Sequence, residues 1–168
     1  TLDLNILEHN ISEMVTEEIT GNILDTDLID QLNGKYQFEI IYHLAALLST
    51  RAEFSPIAAH DVNVGGTLNL LNLAIEQGRS QGKVVQFFFP SSIAVYNINS
   101  IDDKNTKIDE TMCSNNLKTV YGLAKLESEI KGKTTKGIDF RSIRFPGIIS
   151  ATSIPTGGTS DYAPEMIH

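Results

Sequence analysis

Apolar and polar positions along the chain fall into two kinds of run. Three stretches are almost continuously aromatic, β-branched or small: 38–46 (FEIIYHLAA), 84–92 (VVQFFFPSS) and 139–149 (DFRSIRFPGII). A strand with one solvated face alternates apolar and polar residues, so these runs predict strands buried on both faces. Between them the spacing is helical. Over 56–77, Val62, Leu68, Leu71 and Ile75 recur at six-, three- and four-residue steps, and Gly78 stands where a terminating glycine is expected. A second helix is predicted over 120–130, closed by Gly132. A third lies near 26–32, with Asp25 or Thr26 as its N-cap and Gly34 following.

Strands alternating with helices at this spacing predict an α/β fold, a doubly wound parallel sheet with helices on both sides. Such sheets bind ligands at the carboxyl ends of their strands. Here those places follow Tyr42, Phe89 and Phe145, and they read AALLS, PSSIAVY and PGIIS. Small and hydroxylic residues there let a ligand come close to the backbone.

Composition narrows the function classes. The 168 residues are 41% hydrophobic and 20% charged, with a net charge of -8 and no clustered Lys/Arg run. An electrostatic partnership with nucleic acid or an anionic membrane is therefore not expected. No apolar stretch approaches the roughly 20 residues that span a bilayer. The one cysteine, Cys113, excludes an internal disulfide, fits a reducing compartment, and has no identifiable base partner for a nucleophilic role. His43 reads as a strand residue, and no zinc-site spacing occurs, so no metal is expected. Without repeats or linkers, 1–168 reads as one domain or part of one.

Chemistry enters with Tyr121 and Lys125, four apart in a predicted helix (YGLAK) and so on one face. An ammonium beside a phenol favours phenolate, which can take a proton from an alcohol. The same spacing also suits an exposed helical pair. Ser91 and Ser92 end a buried-looking strand, where serine serves equally as a turn residue. Together, serine, tyrosine and lysine suit hydride transfer: one hydroxyl on the reacting oxygen, one base, one supporting cation, with a cofactor accepting the hydride.

The segments HLAALLS, DVNVGGTLNLLNLA, PSSIAVY, YGLAK and RSIRFPGIIS resemble the extended short-chain dehydrogenase/reductases, the group that includes sugar-nucleotide epimerases. Within it, HLAALLS, PSSIAVY and RSIRFPGIIS followed by PTGGTSDYA are most similar to the short-chain L-threonine 3-dehydrogenases. The resemblance implies a Rossmann-like sheet and NAD as cofactor. It makes Ser92, Tyr121 and Lys125 catalytic. It places NAD against Asp3, Asn22, Ile23, Leu44, Ala45, Ala46, Asn63, Tyr121, Lys125 and Pro146, and a small substrate against Ser49, Ser92, Tyr121, Gly158 and Thr159. Asn22 stands where the group usually has aspartate. The residues alone leave simpler roles open: a solvated Asp3, a locally packing Asn63, and a flexible turn at Gly157 and Gly158.

The activity so implied is oxidation of L-threonine at C3 to 2-amino-3-oxobutanoate, in threonine catabolism. A nucleotide-sugar epimerase or dehydratase, or an inactive dinucleotide-fold piece, is the alternative. The group's glycine-rich turn, G-x-x-G-x-x-G, does not occur, and the chain opens on Thr1. We therefore expect an incomplete sheet, lacking the first βα unit and the carboxyl-terminal substrate lobe, that alone binds NAD weakly. The resemblance further implies a homodimer through a helix bundle formed by the helices at 61–75 and 120–130. A cytoplasmic location is expected, or the mitochondrial matrix in a eukaryote.

Overall fold

The computed structural model describes residues 1–96, 108–113 and 116–148. In chain order the elements are β1 (Leu2–Asp3), α1 (His9–Ser12), β2 (Ile19–Thr20), α2 (Thr26–Lys35), β3 (Ile40–Tyr42), α3 (Ser49–Phe54), α4 (Pro56–His60), a π-helical turn (Asp61–Gly65), α5 (Gly66–Gln81), β4 (Val85–Ser92), a 3-10 turn (Ile93–Tyr96), α6 (Val120–Thr134) and β5 (Ile138–Phe145). All strand pairs among the described residues are parallel. β1 pairs with β2, and β3, β4 and β5 form a second sheet in that order. The α/β class and parallel sheet read from the sequence are the ones found.

Burial alternates along β4. Val85, Phe87, Phe89 and Ser91 are buried, while Gln86, Phe88, Pro90 and Ser92 are half-buried. Phe87 and Phe89 join Leu70, Leu71, Leu73 and Ala74 of α5, Ile29 and Leu32 of α2, and Ile23 in one core. On the other face Tyr42 and Phe88 touch at 5.6 Å between ring centroids, yet Tyr42 stays 63% exposed. The sequence pattern predicts burial on both faces; among the described residues only one face is deeply buried.

Element ends depart from expectation for identifiable reasons. β3 covers 40–42 rather than 38–46, because its ladder to β4 ends when the His43 amide donates to the Phe88 carbonyl at 3.0 Å. Asp25 is the N-cap of α2, accepting from the Leu28 amide at 3.0 Å, and Gly34 lies inside that helix. The helical stretch after Pro56 continues to Gln81. Its left-handed cap is Gly82, with φ of 64°. Gly78 is internal to α5, where a Cβ would stand 2.8 Å from the Lys83 carbonyl oxygen. Gly132 is likewise internal to α6, because the Phe140 ring occupies the space a side chain would need. Both glycines serve close packing, and neither ends a helix.

Candidate active site

α6 starts at a threonine cap, with Thr119 Oγ1 accepting from the Gly122 amide at 3.1 Å. Gly122 is buried against the turn that follows β4; a Cβ there would lie 3.1 Å from the Ala94 carbonyl oxygen. The first turn of α6 therefore sits on the residues just after Ser92. Tyr121, Lys125 and Glu129 follow at four-residue steps and form one inward stripe.

Lys125 is 5% exposed. Its Nζ donates to the Pro90 carbonyl at 2.7 Å and lies 4.7 Å from the Phe89 ring centroid and 5.5 Å from that of Tyr121. Burial pushes its ammonium down to about 8, so it remains largely charged at neutral pH. Tyr121 is half-buried, and burial pushes its phenol up, against the sequence expectation of a lowered one. Ser92 is half-buried at the end of β4, opposite Phe145, and its Oγ accepts from the Ala94 amide at 3.1 Å. Ser91 is buried on the opposite face of the strand.

Behind this stripe lies a charged grip that the sequence reading did not single out. Arg144 Nε and Nη2 each donate to Glu129 at 2.9 Å, and Nη1 donates to the Met112 carbonyl at 2.7 Å. Lys133 adds a 2.9 Å contact to the same carboxylate. Ser91 lies against it without regular hydrogen-bond geometry. Burial pushes the Glu129 carboxyl up, but Arg144, Ser91 and Lys133 outweigh this and hold it at about 2. The four-residue step that links Tyr121 to Lys125 also reaches Glu129, a signal that was available in the sequence.

The turn after β3 carries Leu44 and Ala45, both exposed, and half-buried Ala46. Buried Asn63 does not face this turn as a free ligand group. Its Oδ1 accepts from the Leu47 amide at 2.7 Å and its Nδ2 donates to the Leu47 carbonyl at 3.0 Å. It thus acts like a neighbouring strand and fixes the turn's path. The Thr67 and Ser128 hydroxyls both donate to the Asn63 carbonyl. Because Thr67 spends its proton there, His43 Nε2, 2.8 Å from Thr67 Oγ1, is the donor of that pair. Burial first, and Lys125 second, push His43 down to about 4, so it is neutral at pH 7.

Asp3 and Asn22 stand together at the ends of β1 and β2, where the Gly21 amide donates to the Asp3 carbonyl at 2.8 Å. Their side chains accept from nearby amides, Asn5 and Leu24, each at 2.9 Å. The Ile23 side chain is part of the core and packs on Gly66, and its carbonyl accepts from Asn69 Nδ2 at 3.0 Å. Ser49 opens α3, half-buried, and Pro146 is exposed directly after β5. Gly158 and Thr159 lie outside the described residues. Among the described residues, no group of three or more His, Cys, Asp or Glu is arranged for a metal. A 260 Å³ concavity lined by Phe38, Ile40, Lys83 and Val84 lies at the amino ends of β3 and β4, away from this site.

Side chains of these kinds could hold the two ribose groups of a dinucleotide. An acidic and an amide side chain sit at the tips of β1 and β2, an exposed small-residue turn follows β3, and a buried ammonium lies beside the phenol. The profile of the NAD dependent epimerase/dehydratase family matches residues 5–167. The chain belongs to this family. Mitochondrial L-threonine 3-dehydrogenase of Bos taurus is 35% identical over 153 residues, covering 89% of this chain and 38% of that protein. An uncharacterized epimerase/dehydratase of Staphylococcus aureus is 36% identical over 173 aligned positions, covering 96% of this chain and 50% of its own length. A solved monomeric L-threonine 3-dehydrogenase from a metagenome superposes with a TM-score of 0.78 at 36% identity, over 98% of this chain and 50% of that one. The chain thus spans about half the length of the solved relative and less of the bovine one.

Proposed function

We propose that this chain carries the catalytic centre of an NAD-dependent dehydrogenase that oxidises L-threonine at C3 to 2-amino-3-oxobutanoate. The observation that supports it most is the seating of α6 on the end of β4. Lys125 bonds to the Pro90 carbonyl and Gly122 packs on Ala94, so Tyr121 and Lys125 converge on the strand end that holds Ser92. Relatives named L-threonine 3-dehydrogenase support the substrate.

In this reading the Ser92 hydroxyl donates to the substrate oxygen, and the Tyr121 phenolate removes the proton from that same oxygen. Burial alone disfavours the phenolate, so its formation depends on the Lys125 ammonium. Lys125 also holds a ribose hydroxyl, Asp3 and Asn22 hold the adenosine end, and the backbone of 44–46, shaped by Asn63, runs beside the dinucleotide. When bound, NAD supplies the hydride acceptor that no side chain offers. Ser49, Gly158 and Thr159 receive the substrate carboxylate. The helices bearing Leu123, Ile130 and Leu68, which are 53%, 51% and 38% exposed, form the face of a homodimer.

The test, in the full-length protein, follows NADH formation at 340 nm with NAD and L-threonine, and conversion of UDP-sugars by chromatography, since epimerisation and dehydration return the hydride and leave no net NADH. Tyr121→Phe should lower kcat for L-threonine by at least roughly 100-fold, the lower range for a lost general base, while leaving NAD affinity within about twofold. Retained turnover in this variant rejects the base assignment. Turnover of UDP-sugars without threonine oxidation moves the protein to the epimerase branch that its Staphylococcus aureus relative's name suggests.

A further inference from the structure

An α-helix leaves its first amides without partners inside the helix. In α6 the accounting closes in an unusual way. The Leu123 amide makes the first internal bond, to the Thr119 carbonyl at 3.0 Å, and the Gly122 amide is taken by Thr119 Oγ1. The two remaining amides, Val120 and Tyr121, both donate to Glu53 Oε1, at 2.8 and 3.4 Å. Glu53 belongs to α3 and lies 67 and 68 residues away in sequence. A carboxylate at a helix amino terminus also meets the positive end of the helix dipole.

The consequence is geometric. Tyr121 is held by its own amide to a side chain on a different element, so its backbone follows α3 rather than α6 alone. α3 in turn begins just after Leu47, whose amide and carbonyl are fixed by Asn63. We infer that Glu53 is a positioning residue, tying the base-bearing first turn of α6 to the turn that follows β3. The turn beside the dinucleotide and the phenol that takes the proton are then one mechanical unit. This inference rests on the proposed role of Tyr121. Misplacing a reacting group by about 1 Å can cost on the order of 100-fold in rate, so a contact of this kind is expected to matter more for turnover than for folding.

The experiment compares Glu53→Ala with Glu53→Gln, since Gln keeps an acceptor oxygen and loses the charge. In the full-length protein, Glu53→Ala should lower kcat for L-threonine by roughly tenfold or more, within the range set by misplacement, with KM for NAD nearly unchanged. Glu53→Gln should restore most of that loss. Solvent exchange of the Val120 and Tyr121 amides, measured by NMR, should speed up in the Ala variant and stay slow in the Gln variant, while the Leu123 amide is unaffected. That readout does not depend on catalysis: if Tyr121→Phe keeps full turnover, the enzymatic reading fails while the exchange pattern still judges the cap. An unchanged kcat in Glu53→Ala, a Gln variant as impaired as the Ala variant, or loss of protection spread evenly along α6 overturns the inference.

Discussion

Replacing Arg144 by methionine removes the main partner of a carboxylate that is 1% exposed. Arg144 itself is 11% exposed, grips Glu129 through two 2.9 Å bonds, donates to the Met112 carbonyl, and lies 4.7 Å over the Tyr96 ring. The Glu129 carboxyl is held at about 2 against an ordinary 4.5, which at 1.36 kcal/mol for each tenfold step corresponds to about 3 kcal/mol. Breaking a buried pair on one side typically costs about 3–5 kcal/mol. Lys133 stays in contact at 2.9 Å but is 52% exposed and therefore screened, so the lower end, about 3 kcal/mol, is expected. The chain has no tryptophan, so urea unfolding is best followed by far-UV circular dichroism. With a slope near 2 kcal/mol per molar, the Arg144→Met midpoint should fall by about 1.5 M. Because the folded carboxyl titrates below the unfolded one, its contribution is complete above pH 4.5 and disappears as pH falls toward 2. The gap between wild type and variant should shrink over that window. Adding Glu129→Leu to Arg144→Met should recover much of the loss, since removing both charges leaves nothing uncompensated. Equal midpoints at pH 7, or a gap as large at pH 2 as at pH 7, would refute the reasoning.

Lys125 poses the opposite case, a buried charge whose proposed role is chemical. Burial holds its ammonium near 8, so the unfolded chain binds this proton more tightly, and stability should rise as pH passes from about 8 to 10.5. Lys125→Met should raise the thermal midpoint at pH 7 by a few degrees, at about 2–4 °C for each kcal/mol in a domain of this size, while abolishing threonine oxidation; a lower midpoint contradicts this account. The proposed homodimer is tested by Leu123→Glu, which, if the dimer forms, should halve the mass seen by light scattering without changing the circular dichroism spectrum. A wild-type protein that is already monomeric, as one solved relative is described, removes the dimer from the proposal.

Local pattern located the sheet and its helices because apolar runs and helical spacing follow directly from which faces are buried. It misplaced helix ends where glycine was asked to signal two things. Gly78 and Gly132 look like terminators in one dimension, yet each is the only residue small enough for the backbone or ring that crosses it. The cap is Gly82, four residues on, where φ is positive. A crossing by Lys83 or Phe140 depends on tertiary packing, and no local rule anticipates it. β3 was overestimated for a related reason: HLAA is apolar, but a strand lasts only while a neighbour accepts its ladder, and Asn63 draws the chain toward α5 after His43.

At the site the division follows the same physics. Tyr121 and Lys125 were legible because their relation is internal to one helix, and Glu129 lay within reach of the same rule. Arg144 and Glu53 were not, since each acts on α6 from another element, and charged residues in sequence read first as solvated. The expected lowering of the Tyr121 phenol failed because the spacing that brings Lys125 near also takes the phenol out of water. Burial raises the phenol even with an ammonium 5.5 Å from the ring centroid. The proposed base has to act as phenolate against this burial, so its competence depends on keeping the Lys125 ammonium charged. That condition holds below the Lys125 value of about 8 and weakens above it.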